Sequence, residues 1–178
     1  MTKYVAFLRG VGPSNPNMHG SKLKSAVESL GYKNVSSFIS SGNVLFETDK
    51  NNISAIEGAL EAVWPQKLGF KSMTIVKSQQ QLKELVALDP YKGAMHSRQT
   101  YLLVTFPKVP LNISFKAPYQ PPEQGFEIVY ASKTAICSLV DVTTSNTPDL
   151  MSWLEKQFGK DITSRTWNTL VRVLKKME

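Results

Sequence analysis

The sequence predicts an α+β fold, and three observations carry that reading. Strand-type and helix-type segments follow one another as β-α-β-β-α-β over the first 77 residues. Glycine and proline punctuate them where helices should stop. The chain then closes on two helical stripes. The order in the first half is the ferredoxin-like pattern. A length of 178 residues suits one ordinary domain or two small subdomains sharing a core. An apolar content of 42% beside 20% charged residues is the balance of a folded globular chain, not a disordered one.

Each element has its own signal. Lys3-Tyr4-Val5-Ala6-Phe7-Leu8 is rich in strand formers. A loop dense in Gly, Pro and Asn follows from Gly10 to Asn17. Leu23, Ala26, Val27 and Leu30 recur at helical spacing, and Gly31 is a natural stop. A hairpin is expected over about residues 35–48, turning at Ser40-Ser41-Gly42-Asn43. Ile53, Ile56, Leu60, Val63 and Trp64 form the second helical stripe, expected to end at Pro65. Residues 72–77 read as the fourth strand. Ser78 and Gln81 then make a capping box for a helix that Asp89-Pro90 stops.

The later elements follow the same logic. Residues 100–106, 126–131 and 135–141 read as strands. Residues 107–125 hold five prolines and read as a long loop or lid. Thr147 is the expected cap of a helix with Pro148 at its first position, and Gly159 its end. A last helix is expected to start within residues 163–166 and to bury Trp167, Leu170, Val171 and Leu174. No sequence repeat is evident.

Composition excludes several chemistries. The net charge of +7 is spread, with +3 in residues 1–89 and +4 in residues 90–178, and no run of five like charges forms a basic tail. Cys137 stands alone, so no intrachain disulfide forms. Its setting, Ala135 to Val140, suits a small buried strand residue. His19 and His96 lack partners at metal-ligand spacing, so no metal and no cofactor is expected. No Gly-x-Ser-x-Gly elbow, phosphate-loop pattern or complete dinucleotide loop occurs. No apolar stretch is long enough for a membrane span. A cytoplasmic protein that does not contact a membrane is expected.

Three polar clusters remain. Arg9-Gly10 closes the first strand, with Asn15 and Asn17 nearby; an Arg fork suits phosphate or carboxylate, or a structural carboxylate. Ser40, Ser41, Gly42 and Asn43 carry more polarity than a hairpin turn requires, although a well-satisfied turn would also use them. Residues 163–169 hold Arg165 and Asn168 at the expected start of the last helix, where N–H groups attract anions; capping and core roles are the alternative there.

These segments carry a resemblance. Phe7-Leu8-Arg9-Gly10, Asn17-Met18 before a helix, Phe38 to Phe46, Asp89-Pro90-Tyr91 and Thr163 to Thr169 together resemble the domain-of-unknown-function 1697 family. The chain departs from it at Val11-Gly12-Pro13, where the family carries Ile-Asn followed by glycines. The resemblance implies two ferredoxin-related subdomains, about 1–77 and 78–178, packed into one unit with C-terminal helices. It implies no activity. It does give a reason to group Arg9, Gly10, Ser40, Ser41, Gly42, Asn43, Arg165 and Asn168 around one cleft. The expected function is binding of a small anionic ligand, a nucleotide or phosphometabolite. Nucleic-acid binding is the alternative, favoured by the basic pI. An enzyme using Arg-based electrostatic stabilisation is the second.

Overall fold

The first strand, β1 (Thr2–Leu8), sits inside a sheet because its residues from Tyr4 to Leu8 are apolar on both faces and all are buried. A computed structural model of the chain describes residues 1–39 and 42–178. Two units are present: Met1–Lys83 with Val173–Glu178, and Glu84–Arg172.

The first unit runs β1, α1 (Gly20–Glu28), β2 (Lys33–Ser37), β3 (Asn43–Thr48), α2 (Ile53–Leu68) and β4 (Thr74–Ser78). Its antiparallel sheet has the order β2-β3-β1-β4, with Val5 opposite both Leu45 and Lys77. This is the expected β-α-β-β-α-β plan. Tyr4, Ala6 and Leu8 meet Leu23 and Val27 of α1 and Ile56, Leu60 and Trp64 of α2 in one core. The helix α3 (Gln79–Ala87) leaves β4 through the expected capping box: Ser78 N–H donates to Gln81 Oε1 at 2.9 Å, and Gln81 N–H to Ser78 Oγ at 3.2 Å.

Pro65 does not end α2. The helix continues to Leu68, and Gly69, at φ +72°, closes it. A proline costs a helix one N–H bond and a steric clash. Here the buried stripe of Leu60, Val63, Trp64 and Leu68 outweighs that cost.

Two carboxylates of α2 close the outer edge of β4. Glu61 Oε1 accepts the Thr74 N–H at 2.9 Å, and Glu57 Oε1 accepts the Val76 N–H at 2.9 Å. The match is geometric. Four residues of helix rise about 6 Å and two residues of strand about 6.6 Å, so alternate strand amides meet successive helix turns. Glu57 is buried, and its charge opposes the effect of burial on Lys77, whose ammonium desolvation pushes down in pKa.

The second unit holds β5 (Thr100–Pro107), β6 (Phe126–Ala131), β7 (Ile136–Asp141), α4 (Thr147–Phe158), β8 (Ile162–Thr166) and the start of α5 (Trp167–Lys176). Its sheet order, β6-β7-β5-β8, repeats that of the first unit strand for strand. The duplication is one of topology, where the sequence shows no repeat. One member differs: residues 108–125, between β5 and β6, contain no helix where the first unit has α1.

Three details differ from the sequence reading. Asn146, not Thr147, caps α4, its side chain accepting the Asp149 N–H at 2.8 Å. Residues 162–166 form a strand, so the last helix starts at Trp167; Thr166 caps it by accepting the Thr169 N–H at 3.2 Å. Val171 is exposed, and Val173 takes its place in the core beside Leu170 and Leu174.

Removing the two edge carboxylates separates their roles. Glu61→Ala is expected to cost about 2 kcal/mol, because Thr74 is buried and its N–H loses this acceptor, but no charge partner of a buried cation is removed. Glu57→Ala is expected to cost about 3 kcal/mol, because it leaves the buried Val76 N–H without this acceptor and removes the charge that favours the Lys77 ammonium. Urea denaturation of both variants reads the difference.

Candidate functional site

Arg9 and Gly10 emerge where β1 ends. The Arg9 N–H donates to Met73 O at 2.9 Å and is shared with Ser72 Oγ at 3.0 Å, while the Ser72 hydroxyl donates to Arg9 O at 2.7 Å. The backbone of Arg9 is thereby fixed to the residues before β4. Gly10 has φ +79° and open space around it. Asn15 Oδ1 accepts the Asn17 N–H at 2.9 Å and starts a single 3-10 turn, Pro16–Met18. Asn17 is committed to structure: its Nδ2 donates to Leu68 O at 2.8 Å, satisfying a carbonyl at the end of α2, and its Oδ1 accepts from Lys22 Nζ at 2.6 Å.

Gly42 and Asn43 close the β2–β3 hairpin; Ser40 and Ser41 lie outside the described residues. Gly42 O accepts the Leu8 N–H at 2.9 Å. Asn43 is fully buried. Its Nδ2 donates to Phe38 O at 3.1 Å, and its carbonyl accepts the Phe38 N–H at 2.9 Å. The Asn43 side chain thus locks the turn. At Gly42, φ is +72° and an added Cβ would stand 3.1 Å from both Leu8 Cβ and Met18 Cε.

This packing brings Gly42 beside the start of α1. A pocket of about 270 Å³ is lined by Pro13, His19, Gly20, Ser37, Ile39 and Gly42, with Met18 and Leu23 at its base. His19 occupies the N-cap position in extended geometry, but its side chain makes no cap. Lys22 and Leu23 both donate to His19 O, and among the described residues the N–H groups of Gly20 and Ser21 have no acceptor. Among the described residues, the first turn of α1 therefore leaves two amides without an acceptor at the positive end of its dipole. Gly20 also packs so close to Ser37 that an added Cβ would collide with Ser37 Oγ. Sequence reasoning missed His19, Gly20 and Ser37. A readable signal was present, since no Ser, Thr, Asp or Asn stands directly before α1.

A second depression of about 430 Å³ lies along α1 and the end of α2, lined by Ser21, Ser25, Ser29, Lys22 and Lys67 with Asn17. Its polar side chains are mostly exposed.

Arg165 and Asn168 belong to the second unit and lie on different elements. Arg165 is half-buried on β8 opposite Val104, and its Nη1 donates to Thr163 Oγ1 at 3.0 Å and Ser164 O at 2.8 Å. Burial lowers its guanidinium to a pKa of about 10, so it stays charged at neutral pH. Asn168 is exposed on α5. Tyr91 and Trp167, from the two motifs noted in the sequence, meet edge to face at 5.0 Å. The Tyr91 hydroxyl donates to Leu103 O at 2.5 Å and also reaches Cys137. Burial pushes the Cys137 thiol up to about 12, the Tyr91 contact opposing it, so this cysteine is a neutral core residue. Among the described residues no cluster of three or more His, Cys, Asp or Glu side chains is placed to hold a metal ion. No helix among them is long and apolar enough to cross a membrane.

The turn and the thiol each yield a test. Gly42→Ala is expected to cost more stability than Gly10→Ala: both bear the left-handed backbone penalty of about 1–2 kcal/mol, but only Gly42 meets close neighbours. Thermal unfolding of the two variants compares them. A pKa raised in the folded state gives stability that is present below the unfolded value and lost as pH rises toward the folded one. Between pH 9 and 10 the wild type is expected to lose about 1 kcal/mol more than Cys137→Ala, read by urea titration at each pH.

The family model described as "Protein of unknown function (DUF1697)" matches residues 1–136, leaving most of β7 and all of α4, β8 and α5 beyond it. The solved structure of a conserved bacterial protein, SP0830 from Streptococcus pneumoniae, is similar at a TM-score of 0.70 and 17% identity, over 99% of each chain. That likeness extends the fold through the C-terminal elements. No curated protein matches the chain. With its family model covering more than half of its length, the chain belongs to the DUF1697 family of proteins of unknown function.

Proposed function

We propose that the first unit binds a small anionic ligand, a nucleotide or phosphometabolite, by its phosphate at the N-terminus of α1. One observation supports the reading: a helix start whose first amides have no acceptor among the described residues opens into a pocket that is also walled by Gly42. Bare N–H groups and the helix dipole favour an anion there without any charged side chain. The Ser37 hydroxyl, which has no partner among the described residues, adds a donor at the rim. A volume of about 270 Å³ admits the phosphate end of a metabolite, which favours a small molecule over a nucleic-acid strand. The dispersed positive charge contributes attraction at long range rather than specificity.

A carboxylate placed at the N-cap tests this reading, because it would occupy the site the anion uses. His19→Asp is expected to raise stability by about 1 kcal/mol as a helix cap. The same change is expected to abolish the thermal shift produced by phosphate, nucleotides and sugar phosphates. In the wild type a ligand at a hundred times its dissociation constant adds about 2.7 kcal/mol. An unchanged ligand response in His19→Asp, or no response of the wild type to any member of the panel, would count against the site.

A further inference from the structure

The connection between β5 and β6 behaves as a strap rather than a loop. From Leu111 to Pro121 burial alternates residue by residue: Leu111, Ile113, Phe115, Ala117, Tyr119 and Pro121 turn inward or are half-buried, while the residues between them are exposed. The segment is an extended chain laid on the unit where its counterpart has a helix. Among the described residues its hydrogen bonds sit at the ends. Leu111 N–H donates to Lys133 O at 2.9 Å, and Tyr119 and Ile128 exchange two bonds at 2.9 and 2.8 Å. Among the described residues nothing in 112–118 makes a hydrogen bond.

Side chains alone hold the middle. Phe115 stacks on Tyr119 at 4.6 Å and meets Trp153 at 6.0 Å and Phe158 at 6.4 Å, both on α4. Trp153 also packs edge-on against Phe126 at 5.8 Å. Trp153 and Phe158 both belong to α4, where they meet edge to face, and Trp153 is also held by Phe126 of β6. A piece with few buried contacts and no backbone ladder opens at a lower free energy than the sheet beneath it.

We propose that residues 112–118 detach as a unit of their own while the sheet and α4 stay folded, and that detachment uncovers the aromatic surface of Trp153 and Phe158. The strap is a built-in cover in a position that the duplicated topology gives to a helix. This inference is independent of the anion site, which lies in the other unit.

Limited trypsinolysis of the full chain tests it. Lys116 is exposed in the middle of the strap, and the bond after it is cut only when the chain lifts off. When reclosing is faster than cleavage, the cutting rate reports the open population. Cleavage at Lys116, followed by mass spectrometry, is expected well below the urea transition and with a much shallower urea dependence than global unfolding. Phe115→Ala is expected to raise that rate about tenfold, the factor one stacked aromatic pair is worth, with little change in melting temperature. Cleavage at Lys116 that tracks the global transition in wild-type protein would overturn the proposal. So would a Phe115→Ala variant whose melting temperature falls in step with its faster cleavage.

Discussion

The first unit is organised by the antiparallel pairing of β1 with β3 on one side and β4 on the other. The pairing continues past the end of the strand. Leu8 N–H reaches Gly42 O, and Arg9 N–H reaches Met73 O and Ser72 Oγ. Those bonds draw the β2–β3 turn and the residues before β4 to one end of the sheet. From there the chain passes through the 3-10 turn, which Asn17 ties to the end of α2, and enters α1 without a cap. The pocket beside Gly42 is thus a consequence of register. A slip of one residue would exchange the two buried faces of β1 and carry the turn away from α1.

The two units solve the same topology with different means. In the first, α1 covers the sheet and two glutamates of α2 satisfy the edge of β4. An edge strand with bare amides invites pairing with another chain, and the buried Glu57 with the half-buried Glu61 blocks it by occupying those amides. In the second, an extended strap with an aromatic anchor stands where α1 would be. The edge of β6 is met at one point by the Tyr119 bridge. Only the first unit therefore presents a helix N-terminus at that place, which is where the anion is proposed to bind.

Local signals made much of the fold legible. The strand formers of β1, the helical stripe of α1, the Ser78–Gln81 capping box and the buried setting of Cys137 all read correctly from a few adjacent residues. What failed depended on distant partners. Pro65 looked like a stop because the packing that carries α2 to Leu68 lies elsewhere in the chain. Residues 163–166 looked like a helix start because Thr and Ser are good caps; Thr166 is one, but its neighbours pair with β5 first. Five prolines hid the alternation of the strap. For the site, the polarity at Ser40 to Asn43 was legible, but the use of Asn43 was not: its side-chain amide locks the hairpin by donating to Phe38 O. The start of α1 carries no positive signal in the sequence, because His19 precedes Gly20 where a Ser, Thr, Asp or Asn would mark a cap.

Amide chemical shifts followed during titration with inorganic phosphate, and then with a sugar phosphate, read the proposed site residue by residue. Binding at the helix start predicts saturable shifts of the Gly20 and Ser21 amides, with smaller ones at Ser37 and Gly42 and none in the second unit. Shifts scattered over exposed lysines without saturation, or a response centred away from α1, would contradict it.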